Sequence, residues 1–374
     1  MNSLTCDVTI IGGGPGGSGT AISLLAFAPA LSITLIEASN YDVPRIGETL
    51  PPIARSILEP LNLWDAFSAL NARESFGTTS LWGEPVPVDN DFIFMPAATG
   101  WHLDRTSFDA MLAQEASKRG AVLMLNTSVS EAERSGDEWR LRLSTGAHLA
   151  TRFVVDATGG SASFARSAGA RFVNVDRLLG ISRFFEGGES NSQLMIEAFA
   201  DGWWYTAGLP NASRVICCVT DADLAHRLKL SEPDVWQEQL ARTRSLAGIT
   251  NGCKPSSPVS VRSTSSRLLD PIVGEGWLVV GDAASRFDPL SSQGILKAIR
   301  SGIFASYAIG DWLVKKDDAG LRRYQRYVKE EFRSYLQTRL KYYRREQRWP
   351  ESEFWRRRHS EPHKVAGEIA LIAV

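Results

Sequence analysis

The chain has 374 residues, 41 Lys+Arg against 42 Asp+Glu, and 44% apolar residues. This is the composition of a globular protein with two or three packing units, and it excludes a disordered chain or one built to bind nucleic acid. Four Cys without a CxxC pair and five His without a cluster argue against a disulfide scaffold or a structural zinc. The apolar stretch Ala21–Ile33 contains Pro29 and is too short to span a bilayer, and no basic leader precedes it. A soluble, cytoplasmic protein with no membrane contact is expected.

A short β-rich run, Asp7–Ile11, leads into a glycine cluster, a helix through about Phe27 and a second strand, Ser32–Ile36: a βαβ opening. Tyr41–Pro52 is a Pro- and Gly-rich loop. Asp104 caps a helix that carries Phe108 and Leu112 and stops before Gly120. Val122–Val155 is strand-like with a turn at Ser135-Gly136-Asp137. Four β runs follow between Leu178 and Val219. A strand at Trp277–Val280 precedes a second Gly-rich turn and a long helix, about Gln293–Trp312; Asp317 onward is helical and charged.

Parallel signals at both ends and antiparallel signals between them predict an α/β fold with an α+β insert. A discontinuous Rossmann-like domain (1–65, 100–170, 262–315) would carry an inserted antiparallel substrate domain (66–99, 171–261) and a helical C-terminal region (316–374).

Gly12-Gly13-Gly14-Pro15-Gly16-Gly17 is a G-x-G-x-x-G turn between strand and helix, and Glu37 follows Gly17 by about 20 residues. Gly12 allows the tight turn, Gly14 lets a pyrophosphate approach, and Gly17 lets helix and strand pack closely. The helix N-terminus offers N–H groups to the phosphates, and Glu37 offers acceptors to a ribose. The second turn, Gly281-Asp282, followed by Asp288-Pro289-Leu290-Ser291-Ser292-Gln293-Gly294-Ile295 and a helix, supplies a second end. Asp282 suits a ribityl hydroxyl, and the amides near Gly294 and Ile295 suit the flavin N1/O2 edge. FAD, rather than NAD, is the expected cofactor.

Together with Val155-Asp156-Ala157-Thr158-Gly159, these turns resemble the FAD-dependent monooxygenases of the aromatic-hydroxylase and tryptophan-halogenase superfamily. That resemblance implies cofactor contacts at Gly12, Gly14, Pro15, Gly16, Gly17, Glu37, Ala38, Arg45, Gly47, Glu48, Thr49, Arg105, Val129, Ala157, Thr158, Gly159, Gly281, Asp282, Pro289, Gln293, Gly294 and Ile295. Arg45-Ile46-Gly47-Glu48-Thr49 resembles the flavin loop of the halogenase-like branch. Gly202-Trp203-Trp204-Tyr205-Thr206-Ala207-Gly208-Leu209-Pro210 resembles its W-x-W-x-I-P segment, and Phe354-Trp355-Arg356 its F-W-R element.

The branch's halogenating Lys lies after the Gly-Glu-[Ser/Thr] loop and before the G-W-x-x-D-R segment, here Gly100-Trp101-His102-Leu103-Asp104-Arg105, and this chain has no Lys before Lys118. The resemblance therefore implies a halogenase-like scaffold running hydroxylation through a flavin C4a-hydroperoxide. Ser80-Leu81-Trp82-Gly83, Gly100-Trp101-His102-Leu103-Asp104-Arg105 and Tyr342-Tyr343-x-x-Glu346-x-Arg348-Trp349 resemble the LodB/GoxB-like subgroup, which matures tryptophylquinone cofactors by oxygenating a Trp of a partner quinoprotein oxidase precursor. Molecular oxygen is the implied co-substrate. Reductant comes from NAD(P)H or a separate flavin reductase, since one G-x-G-x-x-G leaves no nicotinamide domain. Hydroxylation of a free small aromatic and reduction of an isoprenoid-type double bond are the alternatives.

Glu48 is the first acid/base candidate, with Glu197 and Asp288 behind it. Asp288 has a second reading as a cap of the long helix, and His102 as a satisfied structural side chain. Trp82, Trp101, Trp203 and Trp204 suit either a dry aromatic pocket or a core. The basic, aromatic segment from Leu321 to Lys364 reads as a solvated helix face or as a docking surface for an acidic partner, while its Tyr324, Tyr327, Tyr335, Tyr342, Tyr343, Trp349 and Trp355, at helix-like spacing, read as packing on the FAD domain.

Overall fold

The computed structural model describes residues 4–95, 99–187 and 192–360. The first sheet holds, in spatial order, Val273–Gly274, Trp277–Val279, His148–Asp156, Leu4–Ile11, Ile33–Ile36 and Val122–Met124. The hairpin Val129–Ser135/Glu138–Leu143 extends it from the side of His148–Asp156. Its central pairs are parallel and in register at their C-terminal ends: Ile11 lies beside both Ile36 and Asp156, and Asp156 beside Val279. The following residues, Gly12, Glu37, Ala157 and Val280–Gly281, are thereby gathered at one end of the sheet, where open α/β sheets bind ligands.

Two helices leave that end and cross closely. A Cβ at Gly302 in the helix Gly294–Gly310 would sit 2.7 Å from both the Gly16 carbonyl oxygen and the Thr20 nitrogen of the helix Pro15–Phe27. Glycine is required at that crossing.

The second sheet runs Lys254–Pro255, Leu178–Glu186, Ser213–Asp221, Gly202–Gly208, Leu194–Phe199, Gly77–Leu81 and Val88–Asp91. All its pairs are antiparallel except Leu194–Phe199 with Gly77–Leu81. The four β runs expected after Leu178 are four of its strands.

Strand alternation sorts its side chains into two cores. Trp203, Tyr205, Cys217 and Val219 join Trp82, Tyr343, Phe354 and Trp355. Trp204, Ile216 and Cys218 join Trp236 of the helix Pro233–Ala241. A three-stranded sheet, Thr49–Leu50, Gly100–His102 and Arg73–Ser75, lies on a separate path from both larger sheets. The C-terminal region is a long helix, Ala319–Arg345, and a short one, Glu353–His359.

The α/β class, the inserted, largely antiparallel sheet and the helical C-terminus match the sequence reading. Two short strands inside the expected substrate segments pair outward: Arg73–Ser75 with Gly100–His102, and Arg171–Asn174 with Arg267–Asp270. No helix among the described residues is long and apolar enough to cross a membrane.

Candidate FAD and active site

The three glycines of the first turn do different work. Gly12 has φ +111°, and a Cβ there would lie 2.3 Å from the Ala157 carbonyl oxygen. A Cβ at Gly17 would lie 1.9 Å from the Gly12 carbonyl oxygen. At Gly14 a Cβ would meet nothing within 4 Å. The turn is thus tightly packed behind and open in front, beside the N-terminus of a helix that begins at Pro15 and that no side chain caps. This shape suits a diphosphate.

Ala157 belongs to the turn after His148–Asp156. The Asp156 carboxylate fixes that turn by accepting from the Thr158 and Ala165 backbone N–H groups, at 2.9 and 2.8 Å. Behind Gly159, too, a Cβ would meet open space.

Glu37 stands at the end of its strand and accepts from the Gly13 N–H at 2.8 Å. Its other oxygen accepts from the Ser39 N–H and from Arg45 at 3.1 and 3.2 Å. Burial raises its pKa, but Ser39, Gly13 and Arg45 outweigh burial and hold the carboxyl below its ordinary value. Ala38 next to it is exposed, and Val129 opens the hairpin strand half-buried.

Arg45 also reaches Asp109 at 3.4 Å. Asp109 is held in turn by Arg105, whose Nε and Nη2 donate to its two oxygens at 3.0 and 2.9 Å. Arg105 Nη1 donates to the carbonyls of Ile46 and Gly47. Arg105 therefore ties the loop Arg45–Thr49 to the helix Arg105–Lys118. Asp104 caps that helix through the Thr106 N–H, as the sequence indicates.

The clamped loop carries Glu48 inward. Its carboxylate is buried and accepts the Gly47 N–H at 2.6 Å. Burial pushes its pKa up, while the Gly47 N–H and Arg105 pull it down less strongly. Its charge is felt by Tyr205 and Cys217, which pair across the second sheet. Ile46 from this loop and Leu290 from the second turn both pack against the core of Trp82, Trp203 and Tyr205. The two flavin-loop segments therefore converge on one aromatic face.

At the second turn, Gly281 has φ +61°, and its N–H donates to Ser301 Oγ. The Asp282 side chain is 40% exposed; its Oδ1 accepts from the buried Lys297 Nζ at 2.9 Å, and Arg286 lies 3.5 Å from its Oδ2. Despite the opposing effect of burial, Lys297 and Arg286 keep the carboxyl ionised and able to accept more bonds. Pro289 is half-buried, Gln293 and Gly294 are exposed, and Ile295 is buried. No side chain caps the helix Gly294–Gly310, and a Cβ at Gly294 would meet open space. Two uncapped helix ends, the buried Glu37 and the part-exposed Asp282 fit FAD, whose diphosphate would lie at Gly14 and whose flavin edge would lie at Gly294–Ile295.

Two acid/base expectations need correction. Glu197 faces the Trp204 side of the sheet, away from the Tyr205 face, and its two oxygens accept the Arg244 and Ser245 N–H groups at 2.6 and 2.7 Å. It anchors a loop and is not placed for catalysis. Asp288 caps the turn at Leu290, but its other oxygen accepts from Arg339 Nε at 3.2 Å and Tyr343 OH at 2.7 Å. It too is committed to structure. Of the tail's aromatic side chains, Tyr324 and Tyr335 pack into the core of the first sheet, while Tyr343 and Trp355 join the aromatic core of the second. The tail's Arg339, Arg357 and Arg358 bind Asp176 and Asp288, Asp221 and Asp223, and Asp221 respectively. Residues 361–364 of that segment lie outside the described residues.

His102 is structural, as one reading has it. Nδ1 lies 2.8 Å from the Gly208 carbonyl, which only accepts, so Nδ1 carries a proton; burial pushes the pKa down to about 4, which favours the neutral ring with Nε2 bare. Trp82, Trp203, Trp204 and Trp101 are all packed among other rings.

Sequence reasoning missed the chain from Trp203 Nε1 to Tyr343 OH to Asp288 to Arg339 to Asp176. Its bonded neighbours are up to 163 residues apart, and no motif links them.

The fold and site together define an FAD-dependent oxidoreductase. Residues 5–339 match the model of the FAD binding domain family, and the chain belongs to that family. The monooxygenase assignment fits it. The chain is 30% identical over 365 residues to LodB of Marinomonas mediterranea, named as an FAD-dependent oxidoreductase, covering 95% of this chain and 97% of that one. The myxobacterial chondrochloren halogenase CndH superposes with a TM-score of 0.86 at 24% identity, over 99% of this chain and 90% of its own. QhpG, a peptidyl tryptophan dihydroxylase essential for tryptophylquinone cofactor biogenesis, superposes at 0.75 and 24% identity, over 96% and 80%. The likeness to these last two is one of fold.

Proposed function

We propose that the protein is a monooxygenase that hydroxylates an indole ring, the side chain of a Trp in a partner protein, during quinone cofactor biogenesis. The observation that carries this reading is the convergence of both flavin-loop segments, with the buried Glu48, on the aromatic face of Trp82, Trp203 and Tyr205. Bound and reduced FAD would supply the oxygen-transfer chemistry. The chain's own part is to exclude water, hold the ring and move its proton. Glu48, buried and with its pKa raised by that burial against the weaker pull of the Gly47 N–H and Arg105, suits the ring proton.

The absence of Lys before Lys118 removes the amine that halogenation requires, so hydroxylation is favoured on this scaffold. The names borne by LodB and QhpG support an FAD oxidoreductase and a protein-bound tryptophan. Electrons arrive from NAD(P)H or a separate reductase.

The test is a single turnover of the reduced protein with labelled oxygen and a Trp-containing quinoprotein precursor, read by mass. One or two labelled oxygens on that Trp, and no brominated product when bromide is added, are expected. Oxygenation of free phenols alone would overturn the partner-protein reading, and bromotryptophan would overturn the hydroxylase reading.

A further inference from the structure

From Glu74 to Asp104 the chain has no Lys or Arg but carries Glu74, Glu84, Asp89, Asp91 and Asp104. Its strands Gly77–Leu81 and Val88–Asp91 form the outer rim of the second sheet. Val88–Asp91 is its edge strand, paired only to Gly77–Leu81 among the described residues.

The Phe92 N–H donates to the Phe76 carbonyl. By antiparallel alternation, Asn90 and Val88 also turn their backbone groups inward, and Asp89 and Asp91 turn theirs outward. Apolar side chains flank that open edge: Val86 and Val88, then Ile93 at 72% and Phe94 at 90% exposure. An open edge beside exposed large apolar groups is a feature soluble proteins avoid unless something binds there.

The rim also connects to the site. Phe92 is buried against Gly100, where a Cβ would come within 3.0 Å of its ring and 2.7 Å of the Leu50 carbonyl. Gly100–His102 pairs with Thr49–Leu50, which directly follow Glu48. Arg244 and Arg348 reach this region only through the carbonyls of Pro85 and Leu81. Asp89 and Asp91 are bonded by the neutral Thr79 and Gln193, so their charge is uncompensated there.

We propose that this rim is the docking surface for the polypeptide substrate. An extended segment with alternating apolar and basic side chains adds as a strand to Val88–Asp91 and lies over Ile93 and Phe94, bringing its Trp toward Glu48. The inference rests on the partner-protein reading above. It moves docking from the basic tail, whose inward-facing arginines are paired, to an acidic edge.

The test measures binding of a blocked synthetic peptide, Val and Lys alternating about one central Trp, to the FAD-loaded protein by fluorescence anisotropy. Asp89→Pro removes an outward N–H without touching the inner ladder, and Ile93→Asp/Phe94→Asp removes the apolar cover. Each is expected to weaken binding at least tenfold, with FAD content and melting temperature unchanged. A peptide with Ser in place of Val is expected to bind as weakly. If Asp89→Pro does not fold, the double variant decides.

Equal binding by the variants would overturn the proposal. So would a dimer that the double variant converts to monomer, since the occupant is then a second copy. Rim-dependent binding in which the peptide gains no oxygen would reject the proposed reaction while supporting the docking surface.

Discussion

The nucleotide end and the aromatic face of this protein are built on opposite principles. At the nucleotide end the backbone does the work: Gly12, Gly14 and Gly17 shape a turn, and a helix end supplies the field. At the aromatic face side chains do the work. Trp203, Tyr343, Asp288, Arg339 and Asp176 form a buried relay that joins the flavin turn to the C-terminal helix. The first kind of site tolerates change only where space is open. The second tolerates it only where a polar partner remains satisfied.

The sharpest way to test that contrast lies within one turn. Gly14→Val adds atoms to open space, so the protein is expected to fold with its melting temperature kept while FAD retention is lost. Gly17→Val drives a side chain into the Gly12 carbonyl, and both folding and FAD are expected to fail. Visible absorbance per protein and a circular-dichroism melt read the two effects. A Gly14→Val protein that keeps its flavin would break the assignment of the diphosphate to that turn.

The same difference explains what was legible in the sequence. The glycine turn, Glu37, the Asp104 cap and the Gly281-Asp282 turn are local, and spacing alone locates them. Glu197 and Asp288 read as catalytic candidates because a carboxylate's role depends on what reaches it in space. The groups that satisfy Glu197 are the N–H groups of Arg244 and Ser245, 47 and 48 residues further on. Asp288 is taken up by Arg339 and Tyr343, 51 and 55 residues further on, and helical spacing marks Tyr343 as packed but not what its hydroxyl meets. The ranking of Glu48 first came from a flavin-loop resemblance; its burial and its convergence with Trp203 and Tyr205 needed the fold.

On the relay, Arg339→Met is the most damaging single change. It leaves Asp176 and Asp288 buried together without their cation. Removing one partner of a buried ion pair costs about 3–5 kcal/mol, which a urea melt resolves. A loss below ~1 kcal/mol would show that the relay is incidental to the packing of the helix Ala319–Arg345.

His102 gives a pH-dependent version of the same idea. Its folded pKa of about 4 lies below the ordinary value of 6.5, so the unfolded chain binds the proton more readily. Stability is therefore complete above the unfolded value and falls as pH drops from about 6.5 toward 4, by at most about 3 kcal/mol. His102→Asn, whose amide can still donate to the Gly208 carbonyl, is expected to flatten that part of the stability–pH curve. An unchanged curve would mean that the ring takes up its proton as easily folded as unfolded.

Glu48 and Glu197, both buried, separate chemistry from architecture most finely. Glu48→Gln keeps an acceptor for the Gly47 N–H and removes the ionisable group. If Glu48 takes the ring proton, turnover of a tryptophyl substrate falls roughly 100-fold. In the parent, activity declines as pH falls through the raised Glu48 pKa, because the base must be ionised; in Glu48→Gln that decline disappears. Glu197→Gln presents an amide N–H to a backbone N–H where a carboxylate oxygen stood, so it costs about 1–3 kcal/mol of stability. Its turnover, measured well below the melting temperature, is expected to stay within about twofold of the parent, since no part of its carboxylate faces the Tyr205 side. A Glu197→Gln enzyme that is stable but inactive would reverse the assignment, and would place the proton chemistry on the side of the sheet that Trp204 and Trp236 occupy.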